Sequence, residues 1–155
     1  MEYLEIFLVY ILNSRQLIEG GRNMLDAGLL IIRLVIGLAF VGHGAQKLFG
    51  SFGGYGLKGT GGWFDSIGMK PGYTMALMAG LSELVGGALF ALGLFTPLAG
   101  LLIALTMVVA IVKVHGPNGF WSTQNGYEYN LVLLAAAIGI ALTGPGRYAL
   151  DALLG

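Results

Sequence analysis

Apolar residues are collected into four long stretches that contain few charges: residues 27–48, 73–95, 97–114 and 128–143. A helix needs about 20 apolar residues to cross a bilayer, with a range of roughly 17–25. The first three stretches meet this length, and the fourth meets it if Asn125 or Gly126 is included. The pattern predicts an all-α integral membrane protein that folds as a four-helix bundle.

The first 26 residues differ from the rest of the chain. An apolar run of seven residues, from Ile6 to Leu12, follows Glu2 and Glu5. The basic first region and the small-residue cleavage site of a secretory signal are both missing from this segment. Four charged residues come next: Arg15, Glu19, Arg22 and Asp26. We predict that residues 1–26 form a short interfacial helix or tail and that residues 27–155 form the membrane domain.

The connections between the stretches predict how the helices pair. Only Thr96 and Pro97 join the second stretch to the third, and proline suits the first position of a helix. These two helices should therefore form an antiparallel hairpin. Small residues four apart allow helix backbones to approach closely in lipid. They are Ala76 and Gly80, Gly87 and Ala91, Gly100 and Ala104, and Ala137 and Ala141.

Two connections, residues 49–72 and 115–127, should lie on one side of the membrane, with both termini on the other side. The first contains seven glycines between Gly50 and Gly62. Both connections carry aromatic residues, among them Tyr55, Trp63 and Trp121. Such aromatics are typical of a belt at the level of the lipid headgroups. On a glycine-hinged segment they could instead form a lid over a pocket.

Composition supports a membrane protein and excludes several other classes. Hydrophobic residues make up 56% of the chain and charged residues 10%, whereas roughly a quarter of an ordinary soluble domain is charged. The net charge is zero and no basic stripe is present, which argues against binding of nucleic acid. With no cysteine in the chain, Fe–S clusters and cysteine-type zinc sites are excluded.

Ionisable side chains inside an apolar span are costly, so each one is a candidate functional residue. Arg33, His43 and Lys47 fall within about 80° on one face of the first predicted helix. Lys47 could instead reach the headgroups, and His43 could be an ordinary helix-end histidine. Glu83 lies about 15 Å into the second span, where a carboxylate must be protonated or paired with a cation. We predict that it pairs with Arg33, either as a structural contact or as a proton-handling group.

A second set of polar residues lies at the same end of the predicted bundle. Lys113 lies at the end of the third stretch and His115 follows it, while Glu128 and Asn130 open the fourth. Because no ligand spacing such as HxxxH or ExxH is present, we predict no metal site. The candidate catalytic residues are Glu83, His43 and His115. The candidate ligand-binding residues are Arg33, Lys47, Lys113, Glu128, Asn130, Tyr55, Trp63 and Trp121.

The sequence GPGRYALD follows the fourth stretch. Arg147 and Asp151 are four residues apart in it, a spacing at which side chains of opposite charge meet on a helix. We predict a short interfacial helix that is stabilised by this ion pair.

Four blocks of the chain carry a family resemblance. They are RLVIGLAFVGHGAQKLFG, GGYGLKGTGGWFDSIGMKPG, SELVGGALFALGLFTPLAG and GPGRYALD. In this order they resemble the DoxX family of small bacterial membrane proteins, over about residues 27–152. The resemblance implies a multi-pass protein of the bacterial cytoplasmic membrane. It also implies that the recurring polar residues are Arg33, His43, Lys47, Glu83, His115 and Glu128.

The resemblance implies a function as well. The family is named for a subunit of a thiosulfate–quinone oxidoreductase, and members similar to this chain are associated with quinone, catechol or thiol stress. We therefore expect a membrane-embedded oxidoreductase subunit that binds or reacts with quinone and works with a soluble or membrane redox partner. A thiol relay within the chain is excluded, because the chain has no cysteine.

Two other functions remain open at this stage. The protein could be a non-enzymatic scaffold or chaperone that docks a partner protein, with its intramembrane charges paired to a partner helix. It could also be a small transporter, although the sequence shows no evident repeats or broken helices. A cofactor spectrum in the purified protein would favour the oxidoreductase, and co-purifying proteins without one would favour the scaffold.

Overall fold

The computed structural model describes the backbone of residues 2–154, and side chains at Phe7, Ile11 and residues 19–154. The described residues form helices and turns, without a strand. The helices are α1 (Glu2–Phe49), α2 (Gly56–Ser66), α3 (Gly72–Leu92), α4 (Thr96–Ala110), α5 (Glu128–Thr143) and α6 (Asp151–Leu154). The all-α prediction is confirmed.

Helix α1 is longer than the first apolar stretch, because it continues without a break from Glu2 to Phe49. Residues 2–26 thus continue into the first span as one helix, while their predicted place at the membrane interface stays a prediction. Arginine and glutamate have good helix propensity, and no proline interrupts the segment. The charged residues of this segment interrupt the run of apolar residues, but the helix continues through them.

Three helical segments are long and apolar enough to cross a membrane: Glu19–Phe49, Gly72–Leu92 and Thr96–Asn118. The last of these continues α4 through a π turn, Ile111–His115, and a 3₁₀ turn, Gly116–Asn118. Large apolar side chains such as Val35, Leu38 and Leu142 are exposed on the helices, as contact with lipid requires.

Helix α5 is apolar but has only 16 residues, so it measures about 24 Å against a hydrocarbon core of about 30 Å. The chain before it does not extend the helix, because Asn125 adopts a left-handed conformation with φ 60°. The fourth crossing, and with it the four-helix bundle, therefore stays a prediction.

Helices α1 and α3 make a very close contact through glycines. A Cβ atom on Gly37 would lie 2.6 Å from the Gly87 carbonyl oxygen. A Cβ atom on Gly44 would lie 2.8 Å from the Gly80 carbonyl oxygen. Residue numbers rise along α1 as they fall along α3, so the two helices are antiparallel. The small residues predicted from their four-residue spacing thus do bring backbones together.

Helices α4 and α5 meet through small residues in the same way, since a Cβ on Gly100 would lie 2.8 Å from the Ala141 side chain. The buried core between the helices consists of larger apolar side chains with alanines between them. Its members are Phe40, Phe90, Ala99, Ile103, Met107, Ala137 and Ile140.

The predicted hairpin between the second and third stretches is confirmed, with its turn at residues 93–95. Gly93 ends α3 in a left-handed conformation, φ 63°. The Leu94 amide donates to the Leu89 carbonyl and the Gly93 amide to the Phe90 carbonyl, the pattern of a Schellman motif. Phe95 is also left-handed, with φ 47°, and Pro97 lies in the first turn of α4. The turn is tight. The backbone amides at the start of α4 need hydrogen-bond acceptors from elsewhere in the chain, because the residue before the helix supplies none through its side chain.

The glycine-rich connection after α1 is largely helical, which the glycine count did not indicate. Helix α2 buries Thr60, Gly61 and Phe64. The Asp65 carboxylate accepts a hydrogen bond of 2.8 Å from the Gly72 amide at the start of α3. Gly61 allows the close approach, because a Cβ there would lie 3.0 Å from the Tyr73 Cα.

Candidate functional site

A buried ion pair joins α1 to α3. The Lys47 Nζ lies 2.8 Å from Oε1 and 2.6 Å from Oε2 of Glu83, so one ammonium group contacts both carboxylate oxygens. The Glu83 side chain is 5% exposed and the Lys47 side chain 24%. A charge-assisted contact of this kind is among the stronger hydrogen bonds in proteins. Lys47 is therefore the cation that Glu83 requires inside the membrane.

The predicted pairing of Glu83 with Arg33 is wrong, and the direction of side chains on a helix explains why. Each Cα–Cβ bond tilts towards the N-terminus of its own helix. On α1 this tilt carries Lys47 inwards and Arg33 towards the terminal side of the bundle. On the antiparallel α3 it carries Glu83 towards the loop side, where Lys47 lies. The depth of a residue along its helix does not by itself include this tilt.

Arg33 is fully buried and binds the chain segment that follows α5. Its Nη1 donates to the Pro145 carbonyl oxygen at 2.6 Å, and its Nη2 donates to the Tyr148 carbonyl oxygen at 2.7 Å. Gly93 leaves room for the guanidinium, since a Cβ there would lie against Nη1. Arg33 therefore connects α1 to residues 145–151, which we call the C-terminal segment.

The C-terminal segment also holds the turn between α3 and α4. The Asp151 carboxylate accepts hydrogen bonds from the Phe95 amide at 2.8 Å and the Thr96 amide at 2.9 Å. The Leu150 amide donates to the Leu92 carbonyl oxygen in the same region. The bond from the Thr96 amide is the main reason that the pKa of Asp151 is lowered, and the nearby charge of Arg33 adds to the effect. Asp151 thus supplies an N-terminal cap for α4.

The predicted ion pair between Arg147 and Asp151 is wrong. Arg147 lies before α6 and donates from Nη1 to the Asn23 side-chain oxygen, and its amide donates to Asp26 Oδ1 at 3.1 Å. The two residues cannot meet as a helical pair, because α6 begins only at Asp151. Asp151 is engaged instead by the amides of residues 95 and 96.

Comparison with known proteins identifies the family of the chain. A family model described as DoxX matches residues 28–116. The chain belongs to the DoxX family. The DoxX match contains the whole of the close α1–α3 contact, including Arg33, Lys47 and Glu83. The C-terminal segment lies beyond it.

Curated relatives are found in several bacteria. The chain is 36% identical over 126 residues to the Bacillus subtilis protein named "Putative oxidoreductase CatD", covering 81% of this chain and 86% of that protein. It is 33% identical over 132 residues to an uncharacterized membrane protein of Mycobacterium tuberculosis, covering 79% and 78%. It is 32% identical over 135 residues to the Escherichia coli inner membrane protein YphA, covering 79% and 87%.

These relatives and the three candidate spans identify this DoxX protein as a multi-pass protein of the bacterial inner membrane. Among the relatives, one is named as an oxidoreductase and others by their membrane location. No solved structure gives a significant match to the chain.

Three of the predicted polar residues bind groups close to them in the sequence. His43 is exposed, and its Nδ1 lies 3.2 Å from the Gln46 side-chain oxygen. The His115 Nδ1 lies 2.8 Å from the Asn125 carbonyl oxygen. The Glu128 carboxylate accepts hydrogen bonds of 3.0 Å from the amide and the hydroxyl of Ser122. The recorded contacts of His115 and Glu128 therefore order the connection before α5.

The remaining predicted residues lie in separate places. Asn130 is buried and donates to the Met107 sulfur at 3.6 Å. Lys113 is exposed on the π turn that follows α4. Tyr55, Trp63 and Trp121 are 85%, 45% and 60% exposed, values that suit a headgroup belt. A lid formed by these aromatics stays a prediction.

Two features of the site were missed by sequence reasoning. Asp65 and Asp151 both accept hydrogen bonds from amides at the start of a helix, although neither stands at the capping position in the sequence. Their role depends on a turn and a tertiary contact, so a local motif does not reveal it. Among residues 19–154, no group of three histidine or acidic side chains could hold a metal ion.

Proposed function

We propose that this DoxX protein is the membrane subunit of an oxidoreductase system and that it binds a quinone beside Lys47 and Glu83. The observation that carries the proposal is the ion pair itself. It places two ionisable groups at a depth where such groups are costly and are usually functional. A relative named as an oxidoreductase supports the same class of function.

The pair has the chemistry that quinone reduction needs. Two electrons and two protons convert a quinone to a quinol, and the protons go to the two ring oxygens. A lysine ammonium has three donors, and two of those of Lys47 are directed at Glu83. The third is available to a quinone carbonyl oxygen, and the partial exposure of Lys47 gives a ligand access to it. Glu83 then has one of two roles. It stabilises the positive charge of Lys47, or it returns a proton to Lys47 after the lysine has given one to the quinone.

Protons can reach the pair from water by way of α1. His43 is exposed and lies four residues before Lys47, so the two side chains share a helix face. A histidine can pass a proton along through its two ring nitrogens. Electrons would come from a reduced partner protein or a cofactor bound by that partner, because the chain has no cysteine of its own. The chain's own part is to bind the ring and to supply protons.

The internal pairing of the charges favours this function over a scaffold. In the scaffold alternative, intramembrane charges are kept to bind a partner helix. Here Lys47 is paired with Glu83, and Arg33 is bound to two carbonyl groups of the same chain. Both charges therefore have partners within the chain.

Quinone binding can be measured by titrating the detergent-purified protein with a soluble ubiquinone analogue and following the fluorescence of Trp63 and Trp121. We expect saturable quenching, weakened at least about tenfold in Lys47→Met, since a hydrogen bond to a charged group contributes about 1.5–3 kcal/mol. Lys58→Met is the matched control, because Lys58 is exposed on α2. Absence of saturation, or equal affinity in a folded Lys47→Met variant, would contradict the proposal.

We also infer that α5 is a fourth crossing, so that both termini lie on one side. The connection before α5 follows the α4 span, and the segment after α5 contacts Asn23 and Arg33 of α1. Single cysteines at Asn23, Ser51 and Leu153 test this in a chain that has none of its own. An impermeant maleimide should label positions 23 and 153 from one side and position 51 from the other. Labelling of 51 and 153 from the same side would show that α5 does not cross.

A further inference from the structure

A groove of about 420 Å³ lies between the start of α3 and the end of α4, away from the Lys47–Glu83 pair. Its floor is apolar and its two charged residues are both lysines. The residues that define it are Met69, Lys70, Met75, Val108, Val112 and Lys113. The volume is within the range of about 300–1,000 Å³ that is typical of small-molecule sites.

The two lysines lie at matching positions in the fold. Lys70 comes two residues before α3 begins, and Lys113 lies in the π turn at the end of the α4 span. Both are exposed, and no acidic residue lines the groove. Since both spans reach the membrane surface here, the ammonium groups lie at the level of the lipid headgroups. The valines of α4 lie deeper, at the level of the acyl chains.

We propose that this groove binds an anionic phospholipid of the surrounding membrane, with its phosphate on Lys70 and Lys113 and an acyl chain on the methionine and valine floor. Charge complementarity selects the lipid class. A zwitterionic lipid carries a cationic group beside its phosphate. When the phosphate lies between Lys70 and Lys113, the lysines repel that group. Methionine side chains are flexible enough to fit acyl chains of different shape.

Native mass spectrometry of the detergent-purified full chain can test the proposal. The probes are phosphatidylglycerol and phosphatidylcholine with identical acyl chains. We expect one phosphatidylglycerol to be retained preferentially. Replacing both lysines, Lys70→Gln with Lys113→Gln, should weaken that binding about 25-fold, since each basic residue near an anionic lipid contributes about fivefold. Equal retention of the two lipids by the wild-type protein would overturn the proposal.

A charge-matched control separates a site from a general effect of net charge. Arg22→Gln with Lys58→Gln removes the same two charges from exposed positions that do not line the groove. This variant should retain phosphatidylglycerol as the wild type does, and an equal loss in both double variants would refute the site.

Val109 also lines the groove, so Val109→Trp tests the apolar floor and should weaken binding by filling the groove. Soluble glycerophosphoglycerol should fail to compete; competition by it would show that the site recognises a free phosphate group and not a lipid. These residues are separate from Lys47 and Glu83, so failure here leaves the quinone proposal unaffected.

Discussion

Helix α1 carries two basic residues inside the membrane, and the protein satisfies them in different ways. On the loop side, Lys47 meets a carboxylate, is partly exposed and belongs to the packed α1–α3 unit. On the terminal side, Arg33 is fully buried and donates to two backbone carbonyl groups of the C-terminal segment. A side-chain partner can gain or lose a proton, whereas a carbonyl group cannot.

This difference suggests a division of roles between the two regions. The Lys47–Glu83 pair joins a cationic donor that is partly exposed to a carboxylate that is almost fully buried. Arg33 stays charged under all ordinary conditions, and its planar fork reaches two acceptors at once. We therefore expect replacements at Arg33 to affect folding first and replacements at Lys47 to affect ligand binding as well.

Replacing Arg33 by methionine should have the largest effect on stability. It leaves the Pro145 and Tyr148 carbonyls without their donor and removes the contact that joins α1 to the C-terminal segment. We expect a loss of about 3–5 kcal/mol in thermal unfolding in detergent, since each of the two lost hydrogen bonds to a charged group contributes about 1.5–3 kcal/mol. Trypsin should also cleave faster after Arg147. The matched control is Arg22→Met at an exposed position, and an unchanged melting temperature in Arg33→Met would contradict the role of Arg33.

Breaking the Lys47–Glu83 pair should have the next largest effect. Lys47→Met leaves a carboxylate that is almost fully buried, and Glu83→Gln leaves an uncompensated ammonium. We expect each single change to cost about 2–3 kcal/mol, below the range for a fully buried pair because Lys47 is partly exposed. The double replacement Lys47→Met with Glu83→Met should cost less than the sum. Strict additivity in a double-mutant cycle would show that the two side chains do not interact.

Removing the cap on α4 should have a smaller effect that depends on pH. Asp151→Asn weakens the acceptor for the Phe95 and Thr96 amides and should cost about 1 kcal/mol at neutral pH. Because the folded pKa of Asp151 is below its ordinary value of 3.8, the carboxylate stabilises the protein above that value. This stabilisation is lost as the pH falls from about 5 through the folded pKa. The wild type should therefore lose its advantage over Asp151→Asn under acid conditions, and a constant difference between pH 7 and pH 3 would contradict this.

The smallest effect is expected for Arg147→Gln, because the bond to Asn23 is exposed. We expect a loss of about 0.5 kcal/mol. Its effect should add to that of Asp151→Asn, since the two residues bind different parts of the chain. A coupling energy above about 1 kcal/mol between Arg147 and Asp151 would show that the two side chains interact, as the four-residue spacing predicted.

The apolar stretches predicted the three spans and the hairpin well, because length and hydropathy alone determine which segments fit a bilayer. The small residues Gly80 and Gly87 also predicted close packing correctly. In lipid, helices gain little by burying apolar side chains against each other, so close approach of their backbones favours contact. Composition and spacing are sufficient to predict which segments can cross the membrane, which neighbours form a hairpin and where small residues let backbones approach.

Pairing between distant residues was harder to predict. Whether Lys47 or Arg33 contacts Glu83 depends on the relative register and direction of α1 and α3. The sequence of one span does not determine either of these. Helix α2 was missed because its glycines are usually unfavourable in a helix. In this case packing against α3 outweighs that preference, as the burial of Gly61 shows.

The position of the C-terminal segment has a consequence for biosynthesis. Residues 145–151 are made after all the helices that they hold together, since Arg33, Phe95 and Thr96 precede them. A growing chain that has not yet reached residue 145 carries a guanidinium in the membrane without its carbonyl partners and a helix start without its cap. Once residues 145–151 have been made, both defects are removed together.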